Sequence, residues 1–258
     1  MIRILLFCLT FGLSFALQSA EFTIGINERE VFRYKNADGA WAGKDIELIE
    51  AAFRRTPHTY KLVSMPWARV LKLLESGAID LTIGAAKLPE RQVYAWFSEA
   101  PFRYSYYTLF ARKDRVVLFD NASSLADIAK SAAMVGALRG AIYSETYYKL
   151  SSNPLFTEHI AFIDDDQSLP ELALKGRVDG YIESEIEGIY YLNQNEAYRD
   201  FIQPLFRVTL ESESQSFMMF SKKSVLLEQV KEFDAALQEM HSSGEYDTIT
   251  AKYQALYP

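Results

Sequence analysis

The 258-residue chain holds one cysteine, Cys8, and only three histidines, His58, His159 and His241. A lone thiol in the first ten residues leaves the rest without an internal disulfide, a cysteine nucleophile or thiolate metal ligands. Histidines so widely dispersed give no zinc spacing, so no metal is expected. There is no G-x-x-x-x-G-K-[ST] phosphate loop and no G-x-S-x-G elbow, so the sequence marks neither a nucleotide cofactor nor a serine nucleophile. No cofactor of any kind is expected. Beyond residue 20 no apolar run approaches the roughly 20 residues that span a bilayer. Basic residues number 27 against 34 acidic ones and lie scattered. Nucleic acid and anionic membrane both need clustered cations to displace counterions, so neither is expected as a partner.

What is present begins with a leader pattern. Met1 to Ala20 carries one early positive charge, Arg3, then an apolar run from Ile4 to Phe15 broken only by Thr10, Gly12 and Ser14, then a more polar end. That is a secretory signal, which places the mature chain outside the cytoplasm. Cleavage is expected after Ala20, although Ser14-Phe15-Ala16 fits the small-x-small rule better. Phe7 stands before Cys8 where a lipoprotein signal needs a small residue, which argues against a lipid anchor. With 49% hydrophobic and 24% charged residues, the remainder can bury one large core or two modest ones.

The periodicity favours two. Glu21–Ile26 alternates as a first strand, Asn36–Gly39 is the turn of a short hairpin, and Gly43–Arg55 is a helix with Ile46, Ile49, Ala52 and Phe53 on one face. Tyr60–Met65 reads as a strand, Pro66-Trp67-Ala68-Arg69 opens a helix closed by Gly77, and Ala78–Gly84 is a buried strand. Strand, helix, strand, helix, strand makes a doubly wound half, and ligands of such sheets lie at the carboxyl ends of the strands. That places Asn27, Pro66–Arg69 and Ala85–Arg91 around one crevice. Glu28, Arg29 and Glu30 read as a solvated loop. Phe102–Arg112 reads as one long aromatic strand, after which LALKGRVDGYI repeats the helix, glycine, aspartate, strand order of LLESGAIDLTI.

The stretch Pro89–Phe102, PERQVYAWFSEAPF, read with the LESGAIDLTIGAA before it, gives the pattern D-x-x-I-x-x-(small)-x-x-x-x-x-R-x-x-x-x-x-F-S-x-x-P-[FY]. It resembles the periplasmic solute-binding proteins of family 3, the polar amino-acid type. GKDIEL near the start and the closing Gly244-Glu245-Tyr246 to Tyr253 resemble the same family in the same order. The resemblance implies an α/β protein of two doubly wound lobes, the type II periplasmic binding protein arrangement. A signal peptide covers residues 1–20, lobe I residues 21–104 plus 213–258, and lobe II residues 105–212. A two-segment hinge is expected at Arg103–Tyr106 and Ser212–Ser216.

The same resemblance places the ligand carboxylate at Arg91, whose planar guanidinium can fork to it. It also implies that the loop after the first strand lies at the cleft, with Arg29 or Phe32 as contacts, against the solvated reading of Glu28–Glu30. Trp67 and Arg69 stand at the helix mouth, where Trp67 either stacks on ligand or packs the lobe edge, and Arg69 either adds an anionic contact or faces water. Gly140 and Ala141 are expected to open a helix with Ile142, so that their N–H groups take the other side of the carboxylate. Arg139 either replaces the hydroxyls that the family carries there or faces solvent. Ala86 stands where the family often has a hydroxyl. At the position of the aspartate that neutralises an α-ammonium stands Ser184, flanked by Glu183 and Glu185.

The implied function is capture of a small polar or carboxylated solute, an amino acid or a relative of one, by a monomer that delivers it to a transporter permease. Two alternatives remain open: a cyclohexadienyl-dehydratase-like enzyme using Glu183 or Glu185 as general acid, and a sensing module for a membrane receptor.

Overall fold

A computed structural model describes residues 19–208 and 215–256. The expected leader therefore lies outside the described residues except for its last two positions, as do 212–214 of the second hinge segment.

The chain runs β1 (Glu21–Ile26), a hairpin of β2 (Tyr34–Lys35) and β3 (Trp41–Ala42), α1 (Lys44–Phe53), β4 (Thr59–Ser64), α2 (Trp67–Ser76), β5 (Leu81–Ala85), α3 (Pro89–Gln92), β6 (Ala95–Phe97) and β7 (Arg103–Tyr104). It continues through β8 (Tyr107–Arg112), α4 (Leu125–Ile128), β9 (Val135–Leu138), α5 (Glu145–Leu150), α6 (Pro154–Thr157), β10 (Ile160–Ile163), α7 (Leu169–Leu174), β11 (Gly180–Ser184), α8 (Glu185–Gln194), α9 (Glu196–Phe201) and β12 (Ile202–Arg207). The last elements are β13 (Gln215–Ser221), α10 (Leu227–Ser242) and α11 (Glu245–Leu256).

Two sheets result. The first has the order β4-β1-β5-β13-β6, with β7 also on β13; the second has the order β10-β9-β11-β8-β12. Strand β1 is parallel to β4 and β5, and β9 is parallel to β10 and β11. Returning strands close each set antiparallel: β13 on β5, and β8 on β11. This is the two-lobed α/β fold of type II periplasmic binding proteins, with the chain passing from the first sheet to the second between β7 and β8.

The internal repeat has a physical basis. Helix α2 ends on Gly77 at φ 80°, and α7 is followed by Gly176 at φ 69°, a conformation that glycine adopts without a Cβ penalty. Each glycine is followed by an aspartate, and each aspartate accepts a backbone N–H beside the neighbouring strand: Asp80 from Thr23 at 2.7 Å, Asp179 from Met134 at 2.9 Å. The same short phrase thus docks a helix and fastens the next strand in both lobes.

The single strand read over Phe102–Arg112 is two strands, β7 and β8, in different sheets, because the chain changes lobe at Ser105 and Tyr106. The core of lobe I gathers Phe22, Ile49, Phe53, Phe220 and Phe233; that of lobe II gathers Leu109, Phe119, Ile128, Tyr147 and Phe156. Helix α8 lies so close to β8 that a Cβ at Gly188 would overlap the ring of Phe110. Gly188→Ala is expected to cost about 1–3 kcal/mol by overpacking. Urea denaturation measures it, and an unchanged midpoint would contradict this close approach.

Candidate functional site

The lobes meet in a cleft at the carboxyl ends of β1, β5 and β10. Directly after β1 the chain makes a tight loop in which Arg29 and Arg33 exchange backbone hydrogen bonds of 2.8 Å each way. Its apex, Val31, sits at φ 66°, a costly conformation for a β-branched residue, worth about 1–3 kcal/mol. Two bonds from the start of α1 hold it there: Lys44 N–H to the Val31 carbonyl at 2.9 Å and Asp45 N–H to the Phe32 carbonyl at 2.8 Å.

That loop drives two arginines inward. Arg33 pairs with Asp45, and also donates to the Asn27 carbonyl and to Asn27 Oδ1, both at 2.7 Å. Arg29 crosses to lobe II, where Nη2 donates to Glu183 Oε1 at 2.6 Å and to Glu187 Oε2, and Nε lies 3.4 Å from Asp166 Oδ2. All four side chains of this cluster are buried. The loop expected to be solvated thus carries the central charge of the cleft. Its partners Glu183 and Glu187 lie 154 and 158 residues away, and Asp166 is also distant in the chain, so local sequence gave no sign of them.

Three carboxylates around one guanidinium leave an excess of negative charge. Burial would lower the Arg29 pKa, but Glu187, Glu183 and Asp166 together hold it well above its usual value. Burial raises all three acids: Asp166 and Glu187 move up, and Glu183 is pushed up to about 7, with Arg29 opposing. Because the folded pKa of Glu183 lies above its ordinary 4.5, the folded state binds the proton more tightly. Its contribution to stability is therefore present at low pH and is lost as pH rises through about 7. Calorimetry should show Tm falling between about pH 5 and pH 7.5, with Glu183→Gln giving a flatter profile over that window. An identical slope in the variant would contradict this.

Arg91, in α3, is also buried, but it makes no ion pair among the described residues. Its Nη2 donates to the Gly140 carbonyl of lobe II at 2.7 Å and its Nη1 to the Ala86 carbonyl at 3.2 Å. Trp67 Nε1 donates to the same Gly140 carbonyl at 3.1 Å. Burial lowers the Arg91 pKa, the expected response of a cation taken from water. Arg91, Trp67, Ala86 and Ala141 line a chamber of about 30 Å³, the share of one water in the liquid. Through Gly84, Ala86, Tyr107 and Ile142 it adjoins a cavity of about 590 Å³.

Other expected site residues lie elsewhere. Arg69 is exposed on the outer side of α2. Arg139 is exposed, pairs with Asp164 at 2.7 Å, and lines neither the Arg91 chamber nor the cavity beside it. No helix opens at Gly140 and Ala141. Gly140 adopts φ 78°, Ala141 N–H bonds back to the Leu138 carbonyl, and helix α5 starts at Glu145, capped by the Ser144 hydroxyl. It is the Gly140 carbonyl, not an N–H, that faces Arg91. Glu183 is in the cleft, but Ser184 lines a different cavity, and Glu185 is held at the lobe II edge by Arg207 at 2.6 and 2.8 Å.

Comparison with known proteins decides the family: a family model described as bacterial extracellular solute-binding proteins, family 3, matches residues 22–255. The chain belongs to that family. Its members act outside the bacterial cytoplasm and bind small molecules. No curated protein matches the sequence. Among solved structures, an ancestral arginine-binding protein bound to arginine is 23% identical, with TM-score 0.75, covering 90% of this chain and 97% of that one. The Streptococcus pneumoniae amino acid ABC transporter substrate-binding protein AbpA, bound to L-arginine, is 23% identical, with TM-score 0.72 and coverage of 92% and 96%. The ancestral amino acid-binding protein AncCDT-1, a precursor of cyclohexadienyl dehydratase, is 20% identical, with TM-score 0.69 and coverage of 90% and 94%. At such identities these likenesses show the family-3 fold alone. Among the described residues of this family-3 protein, no helix is long and apolar enough to cross a membrane.

Proposed function

We propose that this protein captures a small carboxylated solute without an α-ammonium group and delivers it to a membrane transporter. The observation that carries the reading is Arg91, a buried guanidinium bonded, among the described residues, only to the Ala86 and Gly140 carbonyls. A solute carboxylate in place of the Gly140 carbonyl would form charge-assisted, forked bonds, roughly twice as strong as neutral ones. The chamber beside Arg91 has no room for a solute, so the lobes, 21–104 with 213–258 and 105–212, part at the hinge to admit it and close again as a monomer. Closure is what a membrane partner reads. The arginine bound to two of the similar proteins supports a carboxylate ligand.

The ammonium is excluded by Arg29. The acids of lobe II that would receive it already hold this guanidinium, and Ser184 turns away from the cleft. A thermal-shift screen of amino acids, dicarboxylates, polyamines and short peptides tests the reading. A ligand at a hundred times its Kd adds about 2.7 kcal/mol of stability. Hits among carboxylates lacking the amine are expected, and hits confined to amino acids or polyamines would overturn it.

A second reading rests on Glu183, whose carboxyl, near 7, suits a general acid of a dehydratase. Its oxygen is already engaged by Arg29 and by Ser184 N–H at 2.6 Å, which favours binding over catalysis. Turnover of a cyclohexadienyl carboxylate by the purified protein would reverse that order.

A further inference from the structure

On the far side of Ser105 from the cleft lies another cavity, of about 630 Å³, with walls from both lobes. Lys44, at the start of α1, lines it at 7% exposure, and its ammonium has no hydrogen-bond or ion-pair partner among the described residues. Three further polar atoms of its lining residues are buried without a hydrogen-bond partner among the described residues: Ser105 Oγ, Ser184 Oγ and His241 Nε2. Orphaned buried polar groups are scarce in folded proteins, and each one calls for an explanation. Here they belong to residues around one space that also holds the largely buried Lys44 ammonium. The remaining walls include Phe32, Ile186, Ile189 and Tyr246, an apolar surface facing those donors.

We propose that this cavity is a second ligand site, for a small carboxylate with an apolar or aromatic body. The charge balance selects the anion. Glu185, also in the lining, is engaged by Arg207 and Thr108, Asp247 is exposed at the rim, and Asp45, the acid whose charge Lys44 feels, is shared with Arg33 and Arg103, so positive charge is in excess beside this cavity. Burial, with Arg103 nearby, pushes the Lys44 pKa down to about 8; an anion beside the ammonium would favour its charged form. The hydroxyls of Ser105 and Ser184, buried and without a partner, reach the carboxylate by rotating about χ1, and the ring or chain of the ligand covers Phe32 and Ile186. The site is separate from Arg91, which lines neither this cavity nor its rim. Because the walls come from both lobes, an occupant stabilises the closed arrangement and raises affinity in the cleft, and the reverse holds equally.

Titration of 4-fluorobenzoate into the purified protein, followed by ¹⁹F NMR, tests this. Binding is expected in the wild type and in Arg91→Ala, and is weakened more than about tenfold in Lys44→Met, which removes the ammonium. Lys44→Met strands no partner, since the ammonium has none. Ile189→Trp, which fills the cavity and leaves Lys44 in place, is expected to lose binding as well. Loss in Arg91→Ala with retention in Lys44→Met would put the probe in the cleft and overturn the proposal. Retention in Ile189→Trp, or no binding of the probe to the wild type at millimolar concentration, would overturn it too.

Discussion

Arg29→Ala is expected to destabilise the protein by about 3–5 kcal/mol near neutral pH, the range for removing one partner from a buried ion pair. The substitution strands Asp166, Glu183 and Glu187 without their shared counter-charge. They have two ways to relax, and both are measurable. They can take up protons, so the loss of Tm should be smaller at about pH 5 than at pH 8, where the stranded acids must ionise. They can also reach water if the lobes part, because Arg29 joins residues of lobe I to residues of lobe II. Small-angle scattering should then give a larger radius for Arg29→Ala than for the wild type without ligand. An unchanged radius together with an unchanged Tm would show that the arginine does not hold the lobes together.

Arg91→Ala acts on affinity instead. Truncating a buried, hydrogen-bonded charge that meets a ligand carboxylate costs at least about 2 kcal/mol, roughly thirtyfold in Kd. The fold should survive, since the Gly140 carbonyl keeps its bond from Trp67 Nε1 and Arg91 leaves no acid unpaired. Arg91→Lys keeps the charge but loses the fork, and is expected to recover only part of the affinity. Calorimetric titration with the best solute from the thermal screen separates these outcomes. Equal affinity in Arg91→Ala would move the carboxylate site elsewhere.

The order of strands and helices could be read from the sequence because each element carries its own pattern. Strand β1 alternates, α2 starts behind Pro66 and stops at a left-handed Gly77, and β13 is an apolar run. The break of Phe102–Arg112 into β7 and β8 was not visible, since aromatic strand residues look alike whichever sheet they join. The absent helix start at Gly140 was legible in hindsight. Ser144 followed by Glu145 is an N-cap signal, and it outweighs the position four residues earlier.

The cleft was read only in part. Arg91, Trp67, Ala86, Ala141 and Glu183 come together there, and Gly140 contributes its carbonyl. Arg33, Asp166 and Glu187 were missed because each looks like an ordinary surface charge until its partner is known. Asp166 had one signal: it follows β10 by three residues, at the carboxyl end where such sheets bind ligands. Arg69 and Arg139 sit at suitable ends of elements too, but the direction of the side chain decides, and both point to solvent.

The central claim is that Arg91 receives the solute carboxylate while Arg29 stands in for the solute's ammonium. Matched calorimetric titrations test it most directly: L-glutamate against glutarate, and L-phenylalanine against 3-phenylpropanoate. The desamino member of the pair that binds is expected to bind at least as tightly as the amino acid, and to lose affinity in Arg91→Ala. Binding of the amino acids alone, with no signal from either desamino partner, would contradict it and return the three acids of lobe II to the role of ammonium receptor.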